Sequence, residues 1–80
     1  MKHYVIMLDW ATNDERAVDI IAVVHSLEEA KIILAKRKEE ELKFAKEHEY
    51  MIETNSDECF EAWEDGYYHS DHTNLYIQGV

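Results

Sequence analysis

The chain has no proline, two glycines, one cysteine and, after Lys46, no lysine or arginine. Each shortage closes off a class of protein. With only Gly66 and Gly79 there is no glycine-rich loop to cradle a phosphate. With Cys59 alone there is no internal disulfide framework and no four-cysteine zinc site, and a reducing setting is expected. No proline-rich or low-complexity stretch divides the 80 residues, which are expected to form one domain. No run approaches the roughly 20 apolar residues that cross a bilayer. The segment Met1–Asp9 opens like a signal peptide, but its apolar run is short, Asp9 interrupts it, and no small-residue cleavage site follows. A cytoplasmic location is the expectation.

What is abundant is negative charge, and it is unevenly placed. The formal net charge is −10. From Met1 to Lys46 eight basic residues nearly balance nine acidic ones, whereas Glu47 to Val80 carries nine acids and no Lys or Arg. A field of that sign repels nucleic acid and anionic membrane surfaces and attracts basic proteins, including those that bind nucleic acid. Nine aromatics and an apolar fraction of 46% are enough for a core and exclude disorder.

Hydrophobic patterning predicts an α+β fold. His3 to Trp10 reads as a strand and Val18 to His25 as a second, paired antiparallel through the turn-prone Ala11–Ala17. The unbroken apolar run of the second predicts a central place in the sheet. Ser26-Leu27-Glu28-Glu29 is a capping box that starts a helix running to about Glu49. Leu27, Ala30, Ile33, Leu34, Phe44 and Ala45 form its apolar stripe, with Leu42 at the margin. The six residues Lys36–Glu41 interrupt that stripe and read as a solvated face with Arg37–Glu41-type pairs. A helix this long is expected to project or bend at its middle or end. Glu49–Glu53 returns extended, Glu58–Trp63 is a strand, Asp65-Gly66 is a tight turn, and Leu75–Ile77 is a short final strand. The order is β-β-α-β-β: a small antiparallel sheet with one long helix on one face.

The chemically dense stretch is Glu58 to His72. His69, Asp71 and His72 are the best metal-ligand candidates, since imidazole and carboxylate suit divalent transition metals. Three such residues in four positions cannot all reach one ion, so His3, His25 or Cys59 would have to complete the set. A solvated loop is the favoured reading, and no cofactor is expected. Cys59 beside a histidine could form a nucleophile–base pair. Its acidic neighbours Glu58 and Glu61 disfavour the thiolate, so packing is the better account. Carboxylate pairs are too numerous for any one to signal catalysis. Tyr50, Phe60, Trp63, Tyr67, Tyr68 and Tyr76 could stack bases, but stacking platforms come with Lys and Arg, which this segment lacks. They read instead as core together with a protein-binding patch.

Size, acidity and the α+β pattern resemble the short acidic proteins that phages of Gram-positive bacteria use against host defence, such as anti-CRISPR and anti-restriction inhibitors. The opening Lys2-His3-Tyr4-Val5-Ile6 strand and the run from Ile20 to Ala30 also look like segments of many small phage and Firmicute proteins. The resemblance assigns no residue a role. It implies a non-enzymatic protein of the host cytoplasm that binds a basic, nucleic-acid-binding partner and inhibits it by mimicking nucleic acid. Glu47, Glu49, Glu53 and Asp57 would then add to the docking set Glu58, Glu61, Trp63, Glu64, Asp65, Tyr67, Tyr68 and Asp71. The alternative is a small metal-binding or catalytic domain centred on His69, Asp71 and His72. Association into a homodimer through an uncovered sheet face is compatible with either.

Overall fold

The computed structural model describes residues 2–12, 15–64 and 71–80. The elements are β1 (Tyr4–Ala11), β2 (Arg16–Val24), α1 (Leu27–Glu47), β3 (Met51–Asn55), β4 (Cys59–Trp63) and β5 (His72–Gly79). The strands form one antiparallel sheet in the order β2-β1-β5-β4-β3, and α1 packs on one face of it. The expected α+β class and element order are therefore present, with Met51–Asn55 adding a strand ahead of β4 that pairs with it except at Glu53, where the register shifts.

Two expectations about the sheet change. β2 is an edge strand, not a central one. Its register shifts between Ile6 and Met7, so Ile21 is an extra residue against β1 and the inward–outward alternation resets there. Ala22 and Val24 then join Ile21 against the core, while Val18, Ile20 and Val23 are 52%, 65% and 56% exposed on the opposite face. The continuous apolar run thus serves two surfaces. The middle of the sheet belongs to β5, which extends well beyond the expected Leu75–Ile77.

Ile6, Leu8, Phe60, Ala62 and Leu75 point from the sheet toward Ala30, Leu34 and Ala45 of the helix, and this is the core. The helix starts where its cap demands: Ser26 is extended and its Oγ accepts the Glu29 amide at 3.1 Å. It ends at Glu47, slightly earlier than expected. The Tyr50 amide donates to the Ala45 carbonyl at 2.8 Å and the Glu49 amide to Lys46 at 3.3 Å, the paired bonds of a Schellman cap. That cap requires a left-handed residue, and Glu49 supplies it at φ 57°. The last turn does not leave the sheet, because Ala45 is fully buried there and Tyr50 packs against the core.

The polar middle of the helix is not wholly solvated either. Glu41 turns inward, its side chain 14% exposed, and accepts a 2.9 Å hydrogen bond from the Thr73 hydroxyl. Arg37 pairs with it across one turn at 3.4 Å and with Glu40 at 3.6 Å. Of the expected helix pairs, Arg37–Glu41 is formed. Its burial was not anticipated.

Candidate functional site

The split in charge becomes a split in space. The segment without Lys or Arg folds into β3, β4 and β5, which are neighbours in the sheet. The lysines and arginines lie on β2 and α1, with Lys2 just ahead of β1. Helix lysines reach over only at one corner, where Lys31 pairs with Asp57 at 3.3 Å and Lys38 donates to the Ser56 carbonyl at 3.0 Å. Ser56 organises that turn, its Oγ accepting the amides of Glu58 and Cys59 at 3.3 and 3.1 Å.

The described members of the expected docking set are spread along β4. Glu58 is exposed at this turn, at one end of β4. Strand alternation buries Phe60 and Ala62 under the helix and puts Cys59, Glu61 and Trp63 on the helix-free face. Glu64 and Asp71 lie at the other end, joined by a 3.0 Å bond from the Glu64 amide to the Asp71 carbonyl. The set is a row along β4, on the order of 15–20 Å from end to end at about 3.4 Å per residue. Asp65, Tyr67, Tyr68 and His69, with the Asp65-Gly66 turn, lie outside the described residues. Among the other aromatics, Phe60 is core, Tyr50 and Tyr76 are half-buried, and Trp63 is 38% exposed.

His72 and Cys59 each have a local partner. Trp63 and His72 are cross-strand neighbours with ring centroids 5.1 Å apart. His72 Nε2 lies 3.3 Å from Asp9 Oδ1 on the same face. Cys59 Sγ is 3.6 Å from Glu61 Oε1 and 3.8 Å from Asn74 Oδ1. Burial first, and then Glu61, push its thiol above the ordinary range. That agrees with a packed cysteine and opposes a nucleophile. Tyr50 is also pushed up, by burial and then by Asp71 and Glu64. Asp71 Oδ1 is buried and has no hydrogen-bond partner among the described residues.

The supplementary metal ligands are out of reach. His3 and His25 stack at 4.8 Å, but they flank the Tyr4–Val24 end of the hairpin, while His72 pairs with Ala11 at the other end of β1. The length of β1 separates them, roughly 25 Å at 3.4 Å per residue. Cys59 pairs with Tyr76, four residues from His72 along β5, or roughly 13 Å. Among the described residues no three His, Cys, Asp or Glu side chains converge as a metal site would require.

One feature went unanticipated: a cleft of about 400 Å³ between the C-terminal half of α1 and the ends of β1 and β5. Trp10, Phe44 and Tyr50 line it, Arg37 and Glu41 enter from the helix, and Asp19 from β2. Its deepest lining residues are Leu8, Ala11 and Thr73, exposed by 3%, 6% and 2%. The sequence signal was the gap in the helix stripe. Lys36–Glu41 offers no apolar side chain to fill the space between helix and sheet. No helix among the described residues is long and apolar enough to cross a membrane. No protein-family model, no curated protein and no solved structure matches this chain, so its fold class, an antiparallel α+β sheet with one helix, stands on its own geometry.

Proposed function

We propose that this is a non-enzymatic acidic interaction protein that docks on a basic surface of a larger, nucleic-acid-binding protein and inhibits it as a nucleic-acid mimic. One observation carries the reading: the basic-free segment forms three adjacent strands, with Glu61 and Trp63 presented on a sheet face that no helix covers. Carboxylates spread over such a surface steer a basic partner from a distance, while a half-exposed tryptophan supplies the apolar anchor that interfaces concentrate energy on. The phage anti-defence role in a host cytoplasm is the specific form of this proposal. Substituting Trp63, Glu64, Asp65 and Tyr67 together is expected to abolish capture of a basic partner from host lysate at low salt, with the helical circular-dichroism signal unchanged. Retained capture would show that the docking face lies elsewhere.

Self-association is compatible with this reading and is favoured by Val18, Ile20 and Val23, exposed on the near-neutral edge of the sheet. A second copy docking there keeps the two acidic halves apart. Sedimentation at high concentration decides it, and a clean monomer rejects the dimer.

A further inference from the structure

We infer that the cleft between α1 and the ends of β1 and β5 is a binding site for an organic cation, an alkyl chain ending in a guanidinium or ammonium group. The walls are π surfaces: Trp10, Phe44 and Tyr50 all line it. Such rings attract a cation over their faces, tryptophan most strongly. The Trp10 indole donates its Nε1–H to Asp19 Oδ2 at 2.9 Å, which holds the ring in place and draws electron density toward its face. Among the described residues that bond is the one polar contact of the Asp19 carboxylate, and no lysine or arginine lies within ion-pair distance of it.

The other charges leave the same sign uncompensated. Arg37 is the one lysine or arginine among the described lining residues, its Nε already between Glu41 at 3.4 Å and Glu40 at 3.6 Å; His72, 3.3 Å from Asp9 Oδ1, also lines the cleft. Glu41 also holds the Thr73 hydroxyl, which fixes its carboxylate at the buried end of the cleft. Beyond Tyr50 stand Glu64 and Asp71, whose charges reach the phenol. An anion entering here would meet three aromatic faces and a surplus of carboxylates. A cation would meet the Asp19 and Glu41 carboxylates and the three aromatic side chains, with an apolar floor of Leu8 and Ala11 for its alkyl part. This site opens on the helix side of the sheet, and its lining includes none of the docking residues proposed above, although Glu64 and Asp71 of that set lie beyond Tyr50.

Titration of the intact protein with n-butylguanidinium, followed by two-dimensional ¹H–¹⁵N NMR, tests the inference. The Trp10 indole resonance is expected to shift saturably together with the Thr73 amide, while the Glu58 amide at the far end of the sheet stays in place. Asp19→Asn should weaken binding about tenfold, the scale of one charge-assisted contact. Glu58→Gln, at the far end of the sheet, should leave it unchanged, so a failed docking surface and a failed cleft are told apart. Equal binding of n-butanol, tighter binding of n-butyl phosphate, or no saturable shift overturns the inference. A capped peptide with an internal arginine separates the sources. Binding at least as tight as the small guanidinium assigns the cleft to a partner's side chain, and much weaker binding assigns it to a free ligand.

Discussion

The contact between Glu41 and Thr73 gives the most demanding test of how helix and sheet are joined. Thr73 is 2% exposed and its hydroxyl donates to Glu41 Oε1 at 2.9 Å, while the Glu41 side chain is 14% exposed. A hydrogen bond to a charged acceptor contributes about 1.5–3 kcal/mol, and an orphaned buried polar group costs about 1–3 kcal/mol. Thr73→Val keeps the shape and removes the donor, leaving Glu41 with Arg37 as partner; a loss of about 1.5 kcal/mol is expected. Glu41→Leu adds apolar contact over Leu8 but strands the Thr73 hydroxyl, for a net loss of about 1–2 kcal/mol. The double variant removes both polar groups and should lose less than about 1 kcal/mol, because a well-packed apolar pair often replaces a buried polar one at little cost. The coupling is then at least about 1.5 kcal/mol. Urea unfolding followed by helical circular dichroism reads it directly. In thermal melts each kcal/mol corresponds to about 4–8 °C for a domain of this size. Additive losses, with coupling below about 0.5 kcal/mol, would refute the inward role of Glu41.

Four further outcomes follow from particular residues. Glu49 sits at φ 57°, so Glu49→Gly should stabilise the protein by about 1 kcal/mol and raise its melting temperature; no gain would mean the left-handed cap carries no strain. Because Cys59 is held above its ordinary value of 9.0, alkylation by iodoacetamide at pH 8 should be slower than for an unfolded thiol and faster again in Glu61→Gln. The same raised pKa, with that of Tyr50, means the folded state holds these protons more tightly. Their contribution is complete below pH 9 and is lost as pH rises through the folded values, so urea midpoints should fall on the alkaline side. Melting should be the same with and without a strong chelator; a chelator-induced drop would return His69, Asp71 and His72 to the centre of the account.

Local chemistry was legible in the sequence wherever one short stretch decides the outcome. Ser26 with Glu29 sets the helix start, because the cap bond spans three residues and needs no tertiary help. The hairpin of β1 and β2 follows from two apolar runs close in sequence, and the imbalance of charge after Lys46 is a property of composition. Tertiary structure decided the rest. The apolar run of β2 looked central, but β5 occupies that place by inserting between β1 and β4, a pairing over long sequence separation that no local pattern encodes. Glu49 gave no glycine-like signal, yet the chain must reverse there so that Tyr50 can return to the core. The cleft is the plainest case. The sequence supplied the missing apolar side chains of Lys36–Glu41, and the sheet beneath them supplied Trp10 and Thr73. A cavity belongs to two surfaces at once, so only their packing could create it.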